Sequence, residues 1–393
     1  MTSSNGAESV PLKARRVAYL APCFAPYRVP VFELLYRRIG EGFTVVALRQ
    51  PRLAIDRAAL GMGTFPRRII RGLAFSLSRS RDRGERTPLW FVASPALPFV
   101  LRSLKPEVVI SSNFNPWTLT SVLMGYPTVV TWEGTPHTER TVRPWRMRLR
   151  RWMAGRAKAF VANGTLSARY LSDVVGVPGD QIIEGGLCSE PPPQQVRCGP
   201  RIVRPGSPLR CLFVGRLVVG KGVPHLLHAA KLLDTRMGGR GQFDILLLGD
   251  GPERPGYERL ARELGIQNRV HFLGYVPPDQ VWHYYQQAHV FVLPTLHEIW
   301  GAVVPEAMSM GLPVLVSNRA GSVPDLIREG ENGYSFDPED HEGLASRLEE
   351  YVRNPHLIQR HGERSLELVS PHNPQRTANA FLWALAKAEG TAG

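Results

Sequence analysis

The chain has 393 residues, 43% of them hydrophobic, and a formal net charge of +14. That length exceeds one ordinary core and predicts two domains of roughly 190 residues each. No apolar run reaches the roughly 20 residues that span a bilayer, since even Leu89 to Leu101 is broken by Pro95 and Pro98.

The four cysteines, Cys23, Cys188, Cys198 and Cys211, form no Cys-x-x-Cys pair, which argues against a zinc site or a disulfide framework. Free thiols are expected, with a Cys198–Cys211 bridge as the alternative. Residues 1–10 are small and polar, without the apolar segment of a secretory signal, and read as a disordered tail; a cytoplasmic location is the expectation. Charge is unevenly divided. Residues 1–200 hold 28 Lys and Arg against 13 Asp and Glu, while 201–393 hold 20 against 21. A basic first half suits an anionic partner: lipid headgroups at the inner face of a membrane, a phosphorylated acceptor, or nucleic acid.

In chain order, Val17 to Leu20 reads as a strand, followed by a proline-rich loop, Ala21 to Arg28, and a helix with Val31, Leu34, Leu35 and Ile39 on one face. The loop after the first strand of an α/β sheet is a place where ligands bind. Thr44 to Leu48 is a second strand. From Pro51 to Pro88 periodicity dissolves into a stretch with Arg67, Arg68, Arg71, Arg79, Arg81, Arg83 and Arg86, read as a solvated loop or a basic flap. Helix 95–104, strand 108–110, helix 117–124 and strand 128–132 then alternate, which implies a parallel sheet.

Glu133 and Gly134 follow that last strand at the edge where chemistry is usually placed. Glu133 either orients or deprotonates a nucleophile or pairs with one of the many arginines, and His137 lies just beyond. From Arg143 to Lys158 a helix carries Trp145, Leu149, Trp152 and Met153, with Arg146, Arg148, Arg150, Arg151 and Arg156 around them. Its apolar stripe packs on its own sheet, or its rim meets an anionic membrane. Strand 159–162, helix 165–175 and Ile182–Ile183 follow, and 191–208, rich in Pro, Gly, Gln and Arg, reads as a linker.

Strand 209–214 opens the second half and runs into Gly215-Arg216-Leu217-Val218-Val219-Gly220-Lys221-Gly222. Glycines flanking two cations after a strand suit a phosphate cradle. Strand 243–248 ends at Gly249, and strand 270–273 at Gly274-Tyr275-Val276. Helix 279–288 precedes Val290 to Leu293, an apolar run read as a buried strand. There follows Pro294-Thr295-Leu296-His297-Glu298-Ile299-Trp300-Gly301-Ala302-Val303-Val304-Pro305-Glu306, a loop and a helix start. Two carboxylates, a glycine that permits close backbone approach and free amides suited to an anion together fit a ligand bearing hydroxyls and phosphates. A nucleotide sugar has both.

The spacing Glu298-x7-Glu306, with Glu-Ala-Met-x-x-Gly-x-Pro-Val from Glu306 to Val314, resembles the signature of the retaining glycosyltransferases of family four; Gly-Arg-Leu-x-x-x-Lys-Gly from Gly215 resembles that family's diphosphate motif. The resemblance is specific over Gly215 to Tyr334 and looser before it. It implies an α/β architecture of two Rossmann-like domains facing each other across a cleft, with a last helix, about 377–386, crossing back to the first. The expected bounds are 11–190 for the acceptor-binding domain, 191–208 for the linker, 209–372 for the donor-binding domain and 373–393 for the returning helix.

The resemblance also implies roles. Arg216 and Lys221 hold the donor diphosphate, Glu298 sits at the donor sugar and Glu306 at the ribose, while Gly215, Gly249, Val276, Gly301, Ala302 and Val303 line the nucleotide site. Many relatives carry glycines in the first loop, and this chain has none there. Pro26 to Phe32 nonetheless resembles a bacterial subgroup, which makes Cys23, Phe24 and Arg28 candidate contacts, with Glu133 and His137, on the acceptor side.

The expected function is therefore transfer of a sugar, with retention, from a nucleoside-diphosphate sugar, UDP favoured, to an acceptor hydroxyl that is lipid-linked or part of a natural product or glycan. Neither cofactor nor metal is expected, since two cations face the diphosphate and no Asp-x-Asp occurs. The rivals are an epimerase or hydrolase of the same fold, and a non-catalytic, membrane-docked nucleotide-sugar-binding protein. Nucleic acid is disfavoured because interleaved stacking aromatics are few.

Overall fold

The computed structural model describes residues 12–22, 26–48, 63–76, 90–185, 187–188, 192–193, 196, 207–239 and 242–391. Cys23, Phe24, Cys198, the 1–10 tail, Arg79 to Arg86 and most of the expected linker lie outside the described residues.

The first strands are β1 (Val17–Ala21), β2 (Phe43–Leu48), β3 (Arg67–Ile70), β4 (Leu73–Ser76) and β5 (Trp90–Ala93), with helix α1 (Val29–Ile39) between β1 and β2. Helix α2 (Leu97–Leu104), β6 (Val108–Ser112), α3 (Pro116–Leu123), β7 (Thr128–Trp132), α4 (Pro144–Ala154), β8 (Ala159–Ala162), α5 (Thr165–Arg169) and β9 (Ile182–Glu184) follow. Seven of these strands form one sheet in the order β3-β2-β1-β6-β7-β8-β9, and every pairing in it is parallel. A parallel sheet is covered on both faces, so its strands read as continuous apolar runs. Val17, Tyr19, Val45, Ala47, Val108, Ile110, Val129 and Val161 point to one side. Their neighbours Ala18, Leu20, Val46, Leu48 and Val109 point to the other, where they meet Leu97 and Leu101 of α2 and Trp117 of α3.

The second sheet comprises β10 (Leu209–Val214), β11 (Phe243–Leu248), β12 (Val270–Gly274), β13 (Val290–Leu293), β14 (Val314–Ser317) and β15 (Gly333–Phe336). Its helices are α6 (Val223–Arg236), α7 (Arg254–Glu263), α8 (Pro278–Gln287), α9 (Val303–Ser309), α10 (Val323–Leu326), α11 (His341–Arg353) and α12 (His356–Val369). The order β12-β11-β10-β13-β14-β15 is all parallel and places β10 beside β13. Connections on the two sides of that pair run in opposite directions, and such a switch point leaves a crevice at the strands' carboxyl ends.

The last helix, α13 (Pro374–Ala388), belongs to the first unit, which comprises the described residues up to Cys188 and those from His372 onward; 192 to Pro371 form the second. Phe381, Leu382, Ala384 and Leu385 pack with Tyr19, Phe32 and Val161, and Phe381 meets the Tyr19 ring edge-on at 5.6 Å. Asn373 caps α13 by accepting from the Arg376 amide. Burying a continuous apolar stripe of this kind is worth roughly 1.5–3 kcal/mol per large side chain.

Two local expectations need correction. The basic stretch is not wholly irregular: Arg67 and Arg68 lie in β3, which pairs with β2, and 73–76 pairs antiparallel with 90–93. Edge pairing to β2 supplies order that side-chain periodicity did not show. Helix α4 buries only part of its apolar stripe, Met153 fully and Leu149 by about half. Trp145 is 58% exposed and Trp152 half-buried beneath the Arg156 guanidinium, whereas Arg150 is buried. Arg150 forms an ion pair with Glu139 at 2.8 Å, donates to the Tyr170 hydroxyl and stacks on Trp132 at 4.9 Å, so its charge is satisfied inside the layer. Cys211 is a buried free thiol, as expected, and not part of the alternative bridge to Cys198.

Candidate functional site

In the second unit the segment after β10 bends back through a single turn, Val219–Lys221, and meets the segment after β13. Gly222 adopts φ +66°, and a Cβ there would stand 1.9 Å from the Pro294 carbonyl oxygen. The Gly220 carbonyl accepts from the Leu296 amide at 2.9 Å and from the fully buried Thr295 hydroxyl at 3.0 Å. These bonds tie two loops far apart in sequence into one wall. On that wall the Lys221 ammonium is ion-paired with the Glu298 carboxylate, both groups remaining partly open to solvent. Arg216, from the same glycine-rich segment, is exposed and meets no acidic partner among the described residues.

A second layer of close approaches brings the β11 and β12 ends into place. A Cβ on Gly249, at φ +135°, would stand 1.9 Å from the Gly215 carbonyl oxygen, and the Gly249 amide donates to Gly274 at 2.9 Å. The Leu217 amide donates to Asp250 at 3.0 Å, and Glu253 donates back to Leu217 at 3.1 Å. Gly215, Arg216, Lys221, Gly249, Glu298 and Gly301 are thus assembled around the carboxyl ends of β10, β11 and β13. Val276, two residues past Gly274, is half-buried.

The Glu298 loop is rigidified from behind. Gly321 donates to the Glu298 carbonyl at 3.3 Å, Ser322 to that of Trp300 at 3.1 Å, and the buried Trp300 indole donates to Asp325 at 3.2 Å. Gly301, at φ +92°, turns the chain into α9, with Ala302 as its cap and Val303 as its first residue. Glu306 is in the first turn, half-buried, and accepts from the Tyr285 hydroxyl at 2.9 Å. Tyr285 sits on α8 with no exposed surface. Burial, then the Glu306 charge, raise its pKa well above the ordinary phenol value, so it stays a donor. Tyr285 is a site residue that sequence reasoning missed. Its only signal was an aromatic in the helix before β13, which reads as core.

In the first unit the acceptor-side candidates divide. Arg28, in the turn preceding α1, is buried and ion-paired with Glu133 at 2.9 Å. Burial opposes its charge, but Tyr19, Tyr27 and Glu133 outweigh that and raise its pKa. Of the two readings of Glu133, the structure shows the arginine pair; the Asn113 side chain accepts from its amide at 3.3 Å, and the Ser167 hydroxyl donates to its carbonyl at 3.1 Å. His137 contacts Arg140 at 3.1 Å. Among the described residues no group of three or more His, Cys, Asp or Glu is arranged to hold a metal ion, and no helix is long and apolar enough to cross a membrane.

Two doubly wound parallel sheets, one with a glycine-rich loop held against the loop that carries Glu298 and one closed by the chain's last helix, define a B-type glycosyltransferase fold. Solved structures agree on that fold. The apo lipopolysaccharide outer core galactosyltransferase WaaB aligns with a TM-score of 0.68 at 15% identity, covering 94% of this chain and 98% of that one. HepE of Anabaena in complex with UDP aligns at 0.69 and 17%, covering 93% and 97%.

Residues 201–367 match the family model described as glycosyl transferases group 1, and 27–183 match that of glycosyltransferase family 4. The two matches follow one another along the chain without overlap and both describe glycosyltransferases, which supports a family-four-like glycosyltransferase. Among curated relatives, the lipopolysaccharide core biosynthesis glycosyltransferase LpsE of Rhizobium meliloti is 36% identical over 44% of this chain and 49% of the relative. A D-inositol 3-phosphate glycosyltransferase of Acidothermus cellulolyticus is 32% identical over 49% and 46%. The chain thus spans about half the length of these curated relatives.

Proposed function

We propose that the protein transfers a sugar from a nucleoside-diphosphate sugar to an acceptor hydroxyl, with retention at the anomeric carbon. The observation that carries this reading is the Lys221–Glu298 pair, which joins the glycine-rich anion loop to the carboxylate loop at the β10–β13 switch point. Arg216 and Lys221 receive the diphosphate, and Glu298 exchanges its ammonium partner for a sugar hydroxyl when donor enters. Glu306, held by Tyr285, accepts from the ribose. The bond between the anomeric carbon and the diphosphate oxygen breaks through an oxocarbenium-like state. The acceptor oxygen attaches on the same face, and its proton passes to the departing phosphate oxygen. Fixed cations aimed at that oxygen stabilise the charge as it develops, and in this reading no metal is required.

UDP is the favoured nucleotide, in keeping with structures of Anabaena HepE in complex with UDP and with UDP-glucose. The acceptor is lipid-linked or part of a glycan or natural product, as the anionic-partner argument from charge suggests. A thermal-shift panel of UDP, GDP, ADP and their sugars tests the donor, because a ligand specific for the folded state raises apparent stability by mass action. UDP or a UDP-sugar should stabilise the wild type and leave Arg216→Ala unmoved. Stabilisation of neither protein by any member of the panel would contradict the reading, and loss of turnover in chelator would contradict metal independence.

A further inference from the structure

Of the seven large hydrophobic side chains exposed among the described residues, five lie in the first unit. Three of them sit on consecutive helices: Phe99 of α2 at 69% exposure, Leu123 of α3 at 67% and Trp145 of α4 at 58%. Those helices cover one face of the sheet. Helices α2 and α3 pack on Ala18, Leu20 and Val46; α4, through Met147, packs on Val130, Trp132 and Phe160, whose neighbours Val129, Ala159 and Val161 face the opposite core. Helix α2 touches α3 and α3 touches α4, so the three form one layer whose far side has no protein cover among the described residues. Leu73, 67% exposed, stands on β4, whose antiparallel partner β5 also touches α3.

Charge in this layer has one sign. Segments 97–105, 116–124 and 140–158 contain no Asp or Glu. Arg102, Lys105, Arg143 and Arg148 are exposed and have no acidic partner among the described residues. The acids nearest in sequence, Glu107 and Glu139, are already paired with Arg16 and with buried Arg150. Single exposed apolar residues need no explanation. Aromatic and aliphatic side chains standing among unpaired cations on one helical layer are what an anionic bilayer surface binds, with rings seated at the headgroup level and arginines on the lipid phosphates.

We propose that the α2–α3–α4 layer docks on an anionic lipid bilayer, inserting Phe99, Leu123 and Trp145 while Arg102, Arg143 and Arg148 meet headgroup phosphates. The surface presents the first unit to acceptors carried in the membrane. It is independent of the donor reading, so failure of one leaves the other standing.

The test is flotation of the full chain with vesicles of phosphatidylcholine containing one-third phosphatidylglycerol, against pure phosphatidylcholine, at about 50 mM and about 500 mM salt, where screening lengths differ severalfold. Binding is expected to the anionic vesicles at low salt only. Arg102→Gln and Arg148→Gln should each weaken it about fivefold, and Phe99→Ser with Trp145→Ser by about tenfold or more, all with unchanged thermal midpoints because these side chains are exposed. Trp145→Phe should remove most of the fluorescence quenching by brominated lipid. No binding at low salt would overturn the proposal. So would binding indifferent to these substitutions, or binding weakened by the arginine changes alone, which would leave the apolar side chains without a role.

Discussion

Tyr285→Phe deletes one oxygen and tests whether Glu306 must be held still. In the structure that hydroxyl is fully buried and donates to the Glu306 carboxylate at 2.9 Å. A hydrogen bond to a charged acceptor contributes about 1.5–3 kcal/mol. If the carboxylate swings free, donor binding must pay that sum to re-form the geometry, so the dissociation constant for UDP should rise about 10- to 100-fold. The phenylalanine ring fills the same space against Phe291 and Trp282, so the fold should lose only about 1 kcal/mol, or about 2–4 °C in Tm. Titration calorimetry with UDP and a thermal scan separate the two effects. Unchanged UDP affinity in a Tyr285→Phe protein of near-normal Tm would refute the assignment of Glu306 to the nucleotide.

Lys221→Met should abolish turnover and also loosen the Glu298 loop, whereas Glu298→Gln keeps a neutral partner for Lys221; initial rates should fall by at least about 100-fold in both, and a rate within threefold of wild type in either would remove that residue from the proposed mechanism. Gly249→Ala places a methyl 1.9 Å from the Gly215 carbonyl oxygen at φ +135°, so the chain must move there; a loss of about 1–3 kcal/mol in urea unfolding is expected, and none would mean the β11 end is more yielding than it looks. His225 and His341 contact each other at 2.9 Å between α6 and α11, with His228 stacked on His341. Burial first, then neighbouring imidazoles, lower both pKa values despite Glu339 and Asp340 nearby. Their stability contribution is therefore complete above the ordinary histidine value near 6.5 and is lost as pH falls below it; urea midpoints between pH 5 and 8 should show that slope in wild type and a shallower one in His341→Gln. Cys211 is buried and its pKa is raised by that burial, so iodoacetamide should label it only on unfolding; rapid labelling of the native protein would contradict this.

The second unit is largely legible in its sequence. Several of its strands are short apolar runs that end in glycines, and Gly222 and Gly249 mark places where backbone must pass backbone, a local demand that a sequence records directly. The glycine-rich loop and the two glutamates likewise lie within continuous stretches, so their types and spacing could be read. The first unit was less so. Its β3 strand, Arg67–Ile70, has no alternation to betray it, because an edge strand is recruited by the hydrogen-bonding groups of β2 and not by its own side chains.

Pairings across long separations were beyond reach for the same reason. Lys221 with Glu298 is 77 residues apart, Arg28 with Glu133 is 105, and Tyr285 reaches Glu306 from another helix. Helix α4 shows what only tertiary structure decided: Arg150 is taken inward because Glu139, Tyr170 and Trp132 satisfy its charge, and Trp145 is left outside. Helical periodicity ranks residues by how willingly they leave water, whereas the fold selects them by which partners wait inside.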